Sequence, residues 1–323
     1  MRRKALARIL ALMLLAGAVS GAALAASGEY GAWSTAVRVE SLPGTDPNFN
    51  GPFLDGCPFI SRDGRTFYMA SRRLTGPADF KPDINIWVAT RSGADEPWGA
   101  PVLVGEPVSI DTTSAAAADV NDFCPTLDRD GHEFYFVSNR AGGCGGDDIY
   151  TTRLRPDGWD PVANLGCGVN TPGNEASPFP LPQSTTGPVL YFSSTVSDAG
   201  DIYSSEWHGG AFQGRQLVPG VNTASVEGQP NVRRDGLELF FFSNRPGSRG
   251  NDIYSASRAS TADDWSTPIN LGPAVNGLEM SSETRPSLSW DGTTLYFGSN
   301  RAGGEGDADH YVATREKPAG SSP

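Results

Sequence analysis

Beyond its first 25 residues the chain has no apolar run approaching the ~18 residues that a membrane-spanning helix requires. It has no G-x-S-x-G elbow to present a serine nucleophile and no H-E-x-x-H pair to hold a catalytic zinc. Its three histidines, His132, His208 and His310, are too far apart to share a metal by local spacing. Its four cysteines include no C-x-x-C pair. Basic residues are outnumbered, 25 against 37, for a net charge of −12. An acidic balance of this size argues against nucleic acid and anionic membrane surfaces as partners.

Punctuating residues are abundant: 39 glycines and 25 prolines, too many for a helical protein of 323 residues. The first 25 residues stand apart. Arg2, Arg3, Lys4 and Arg8 flank an apolar run from Ile9 to Val19, and Ala23-Leu24-Ala25 follows as a small-residue cleavage point. This pattern predicts a secretory signal peptide over 1–25, too short to be an anchor. Without its four basic residues the charge becomes 21 basic against 37 acidic, or −16. The expected organisation is a folded domain over 26–316 and a disordered tail over 317–323, in a periplasmic or secreted protein.

One stretch, Pro125 to Arg153, is a template that recurs five times. Its units open at Pro58, Pro125, Pro178, Pro230 and Pro286. Each has an apolar strand ending in serine: Ser71, Ser138, Ser194, Ser243 and Ser299. Asp-Gly turns, a strong hairpin signal, stand at Asp63-Gly64, Asp130-Gly131, Asp235-Gly236 and Asp291-Gly292. A third strand begins at Asn85-Ile86-Trp87, Asp148-Ile149-Tyr150, Asp201-Ile202-Tyr203, Asp252-Ile253-Tyr254 and Asp309-His310-Tyr311. A fourth segment opens with Trp98, Trp159, Phe212 and Trp265, and its fifth copy, Trp33 to Leu42, precedes the first unit. These aromatics read as blade packing rather than sugar platforms. Four strands in each of five units predict an all-β, five-bladed propeller. Trp33–Leu42 would complete the last blade and close the ring, removing exposed sheet edges.

The S-x-D-G and L-Y-F-x-S-N-R elements, and D-I-Y followed by arginine, resemble the WD40-like β-propeller repeat of the TolB type over roughly Trp33 to Arg315. The resemblance implies a propeller and leaves the task open, because such propellers serve many. The chain differs from TolB in having five units rather than six. Unit three differs further, with Gln183-Ser184 near the expected Asp-Gly and Thr195-Val196 in place of Asn-Arg.

In an up-and-down blade the start of the first strand, the loop between strands two and three and the end of strand four share one face, here called the top. The long segments Arg73–Asp83 and Gly105–Asp122 belong to it, and long loops on a rigid scaffold commonly carry binding. All four cysteines map there too. Of three possible connectivities, Cys57–Cys124 and Cys144–Cys167 join partners close in the topology. A thiolate metal site is the alternative. An acid stands three residues before each opening proline: Asp55, Asp122, Glu175, Glu227 and Glu283. Antiparallel pairing sets four of them beside Arg73, Arg140, Arg245 and Arg301, leaving Glu175 without an arginine of its own blade. These nine residues either stitch strands one and two together or line the mouth as a binding rim.

No catalytic residue and no cofactor is assigned. The acidic top loops, with Asp147, Asp148, Glu305, Asp307 and Asp309, read as backbone-capping turns, with calcium as the alternative. The leading functional reading is a non-catalytic binding or scaffold protein whose top face engages a protein, peptide or glycan of the cell envelope, with no nucleic acid and no membrane insertion. The other is a glycan-acting hydrolase or lyase with mouth carboxylates, such as Asp55, Asp122 and Glu175, as acid and base.

Overall fold

The computed structural model describes residues 30–75, 83–110, 120–184, 187–196 and 200–318. The expected leader, residues 319–323 of the expected tail, and parts of both long top segments (76–82 and 111–119) lie outside the described residues. Five antiparallel sheets form the blades of a propeller. The inner strands, nearest the axis, are Asp55–Ile60, Asp122–Leu127, Glu175–Ser184, Glu227–Val232 and Glu283–Leu288. The second strands are Thr66–Ser71, Glu133–Ser138, Gly187–Ser194, Glu238–Ser243 and Thr294–Ser299. The third strands begin at the D-I-Y elements, from Asn85 in blade 1 to Asp309 in blade 5.

The outer strands are shorter than the repeat suggests. In blades 1, 4 and 5 they are two-residue pairs, and in blade 2 the segment splits into Gly158–Trp159 and Ala163–Asn164. Pro101, Pro161 and Pro268 stand inside this segment in blades 1, 2 and 4, and a proline cannot donate to the ladder. Blade 3 has no proline between Ala211 and Leu217, and its outer strand runs over all seven of these residues.

The ring closes as expected. Val37 pairs with Val312 and Arg38 with Tyr311, so the first described strand is the outer strand of the last blade. Asn50 then pins His310, accepting from its backbone N–H at 2.8 Å. Asn170, Asn222 and Asn276 accept in the same way from Ile149, Ile202 and Ile253.

Core packing lies between blades. Phe134, Phe136 and Tyr150 of blade 2 bury against Tyr68 and Ile86 of blade 1. The closing joint packs Val39, Phe49, Phe67 and Trp98 against Tyr296 and Val312. Five backbone hydrogen bonds cross the same joints. The N–H groups of Asp55, Asp122, Glu175, Glu227 and Glu283 donate to the carbonyls of Ala308, Ile84, Asp147, Gly200 and Asn251, at 2.7–3.1 Å.

Every inner strand carries a bulge at its opening proline, where the pairing register shifts by one residue. The residue before that proline is left-handed in all five blades: Cys57, Cys124, Ser177, Gln229 and Arg285, with φ between 48° and 58°. The missing proline N–H breaks the ladder, and the bulge re-aims the preceding residue at the axis.

Candidate functional site at the propeller axis

At the top, the carboxylate ring is a structural clasp repeated around the wheel. Arg73 lies 3.0 Å from Asp55, Arg140 2.7 Å from Asp122, Arg245 3.1 Å from Glu227 and Arg301 3.2 Å from Glu283, and the four acid side chains have no solvent exposure. The strand-ending serine completes each clasp. Ser243 Oγ donates to Glu227 at 2.6 Å and accepts from the Arg245 N–H at 3.1 Å. Each arginine also caps a neighbouring carbonyl: Phe49 for Arg73, Val108 for Arg140, Val221 for Arg245 and Val275 for Arg301. Each covers the aromatic ring of its third strand, Trp87, Tyr150, Tyr254 or Tyr311, at 4.5–5.8 Å. Burial pushes the carboxyls of Asp55, Asp122 and Glu283 above their ordinary range, against the pull of the arginines and hydrogen-bond donors.

Blade 3 departs as its sequence does. Val196 occupies the arginine position, and Glu175 accepts instead from Thr171 N, Thr171 Oγ1 and Ser194 Oγ, all at 2.6 Å. Arg215, from the long outer strand, covers Tyr203 at 5.8 Å and reaches the Val169 carbonyl at 3.3 Å.

Both disulfides form as the topology favours, Cys57–Cys124 and Cys144–Cys167, leaving no free thiol for a metal. Asp148 accepts from Cys144 N and Asn164, and Asp309 from Glu305 N, so these loop acids act as turn caps. Among the described residues no three His, Cys, Asp or Glu side chains gather as a metal-binding group. His310 is fully buried with neither ring nitrogen hydrogen-bonded. Burial, with Arg73 and Arg285 adding to it, holds its pKa well below the usual imidazole value.

The axis itself carries residues that the repeat pattern does not mark. The five left-handed residues line a central cavity of about 40 Å³. Two of them form the Cys57–Cys124 disulfide, and Gln229 Oε1 accepts from Arg285 N at 2.8 Å. The Arg285 side chain lies against Gly56, where a Cβ would stand 2.6 Å from Nη1, so a glycine there leaves room for the guanidinium. Its buried Nε has no hydrogen-bond partner, and burial pushes its pKa down to about 10.

The bottom mouth of the axis, a pocket of about 50 Å³, is lined by the ends of the inner strands. Four residues after each opening proline stand Arg62, Arg129, Pro182, Arg234 and Trp290. Trp290, from blade 5, lies under the guanidinium groups of Arg62 at 4.9 Å and Arg129 at 5.9 Å, from blades 1 and 2. The variable position of S-x-D-G was the available sequence signal for this ring.

Comparison with solved structures adds the architecture. The fold is a five-bladed propeller shared with glycoside hydrolases. The catalytic domain of a GH62 α-L-arabinofuranosidase from Coprinopsis cinerea aligns with a TM-score of 0.56 at 13% identity, covering 88% of this chain and 97% of that one. A family 117 glycoside hydrolase from Zobellia galactanivorans aligns at 0.55 and 14% identity, covering 91% and 93%. A putative TolB from Agrobacterium tumefaciens aligns at 0.46 and 14% identity, covering 90% and 99%. No protein-family model and no curated protein matches the sequence.

Proposed function

We propose that this chain is an exported propeller that binds a glycan at its axis without hydrolysing it. The observation that carries this reading is Trp290 at the bottom mouth, flanked by Arg62 and Arg129 on a rigid five-bladed frame. An indole beside hydrogen-bond donors offers a sugar ring an apolar face and polar edges together. The fold shared with carbohydrate-active propellers supports the ligand class. The two disulfides support an oxidising compartment, the periplasm or the cell exterior. The rim of acids and arginines serves here as the scaffold that fixes the blades. The carboxylates of Asp55, Asp122 and Glu175 are enclosed and committed to donors, an unfavourable state for proton exchange with a substrate.

The second reading, hydrolysis at the top, is favoured by the alignment with the arabinofuranosidase and the family 117 enzyme. One pair of measurements separates them. Titration calorimetry with a panel of plant and algal oligosaccharides is expected to give binding that Trp290→Ala weakens at least tenfold. A reducing-sugar assay on the same panel is expected to give no turnover. Turnover abolished by Asp122→Asn in a folded protein would replace the binding reading with the hydrolase.

A further inference from the structure

The protein is acidic overall, yet the groups lining its axis are of the opposite sign. Arg285 sits in the channel with no carboxylate partner among the described residues, its Nε enclosed and unbonded. At the bottom mouth, Arg62, Arg129, Arg233 and Arg234 line the pocket against one aspartate, Asp128. Asp128 is already committed, accepting from His132 N and Glu133 N. Arg233 is neutralised by Asp235 and Glu238. The nearby turn acids Asp63 and Asp291 accept hydrogen bonds within their own turns. Arg62, Arg129 and Arg234 have no ion-pair partner among the described residues. Arg62 and Arg129 are solvent-exposed, with their guanidiniums over the Trp290 ring.

A buried cation without a counter-charge is costly, and in a channel open to solvent the usual remedy is a bound anion. The cavity volume of about 40 Å³ admits a small oxyanion group and not a sugar ring. Guanidinium is the side chain best matched to such groups, because its forked donors meet two oxygens at once. We propose that the bottom mouth of the axis is a site for an anionic glycan, whose sugar ring lies beside Trp290 while its carboxylate or sulfate is held by the unpaired guanidiniums of Arg62, Arg129 and Arg234, with Arg285 as a further unpaired positive charge deeper on the axis. The body of the ligand rests on the glycan reading above; the demand for an anion rests on the unpaired arginines alone.

Calorimetry and thermal melting test this with tetragalacturonate, a sulfated carrageenan tetrasaccharide, neutral cellotriose, and glucuronate and sulfate as small probes. Wild type is expected to bind one of the two acidic oligosaccharides at least tenfold more tightly than cellotriose; which of the two binds separates carboxylate from sulfate. Arg285→Met is expected to raise the melting temperature without ligand, by removing the unpaired charge, and to lessen the rise that the acidic ligand causes. The double variant Arg62→Gln/Arg129→Gln, at exposed positions, is expected to weaken acidic binding tenfold or more even if Arg285→Met fails to fold. Arginine-dependent binding of glucuronate or sulfate without any oligosaccharide binding would keep the anion site and remove the glycan reading. Equal binding of cellotriose and the acidic oligosaccharides, unchanged in either variant, would overturn the anion site and keep the glycan reading. Absence of binding by every probe would overturn both.

Discussion

Blades 3 and 4 secure the same buried glutamate with different residues. Glu175 and Glu227 each accept from a threonine N–H and hydroxyl four residues upstream and from the strand-ending serine. Blade 4 adds Arg245, which reaches Glu227, the Val221 carbonyl and the Tyr254 ring together. In blade 3 the carbonyl and the ring pass to Arg215, from the opposite side of the blade, and the acid has no cation among the described residues. The neutral donors are thus common to both blades, and the ion pair is the variable part. Capping the carbonyl and covering the aromatic persist even when the arginine must come from another strand.

The largest effect is expected where one arginine does all three jobs. Arg245→Ala would leave Glu227 buried with neutral donors only, uncap Val221 and uncover Tyr254, at a cost of about 3 kcal/mol. Arg215→Ala removes one long hydrogen bond and a distant ring contact, at a cost of about 1 kcal/mol. Urea unfolding of the two variants measures the gap. Equal losses would mean that the ion pair contributes nothing and that the two blades are energetically the same.

Much of this fold was legible because the repeat markers have mechanical causes. The Asp-Gly turn reverses the chain, the opening proline forces a bulge, and the serine and arginine meet the buried acid of the neighbouring strand. Order along the chain placed Trp33–Leu42 in the last blade, and adjacency at the top placed the cysteine pairs. The axis was less legible for the opposite reason. Arg285 and Trp290 stand at positions where the five units disagree, and an eye set on recurrence passes over them. That Arg285 lacks a carboxylate partner among the described residues, and that Trp290 reaches Arg62 and Arg129, depends on residues in other blades far away in sequence. Arg215 escaped notice because its counterparts come from a different strand.

His310 offers an intermediate test of the same comparison between a blade that follows the pattern and one that departs from it. Isoleucine stands at the equivalent position in the other four blades. Because the folded-state pKa of His310 lies well below its unfolded value, the unfolded chain binds the extra proton first as pH falls. Stability is therefore expected to fall as the pH drops below about 6.5, with a slope of up to about 1.4 kcal/mol per pH unit from this residue. His310→Ile should flatten that slope and raise the melting temperature. The Asn50 bonds should persist, since they engage only the backbone of residue 310. An unchanged slope in the variant would assign the acid sensitivity to other groups.

The smallest effect is expected at Glu175. Its lack of an arginine alone would make Glu175→Gln nearly silent, but three donors converge on its two oxygens. An amide keeps one oxygen for the two hydroxyls and turns its NH₂ toward the Thr171 N–H, which then loses its acceptor, at a cost of about 0.5–1 kcal/mol. Glu227→Gln meets the same conflict and also loses the charge opposite Arg245, for a total of about 2 kcal/mol. The difference between these two conservative changes isolates the ionic share of the clasp, because every neutral donor is matched between the blades. If the two unfolding midpoints shift equally, the arginine acts only through its carbonyl and its ring.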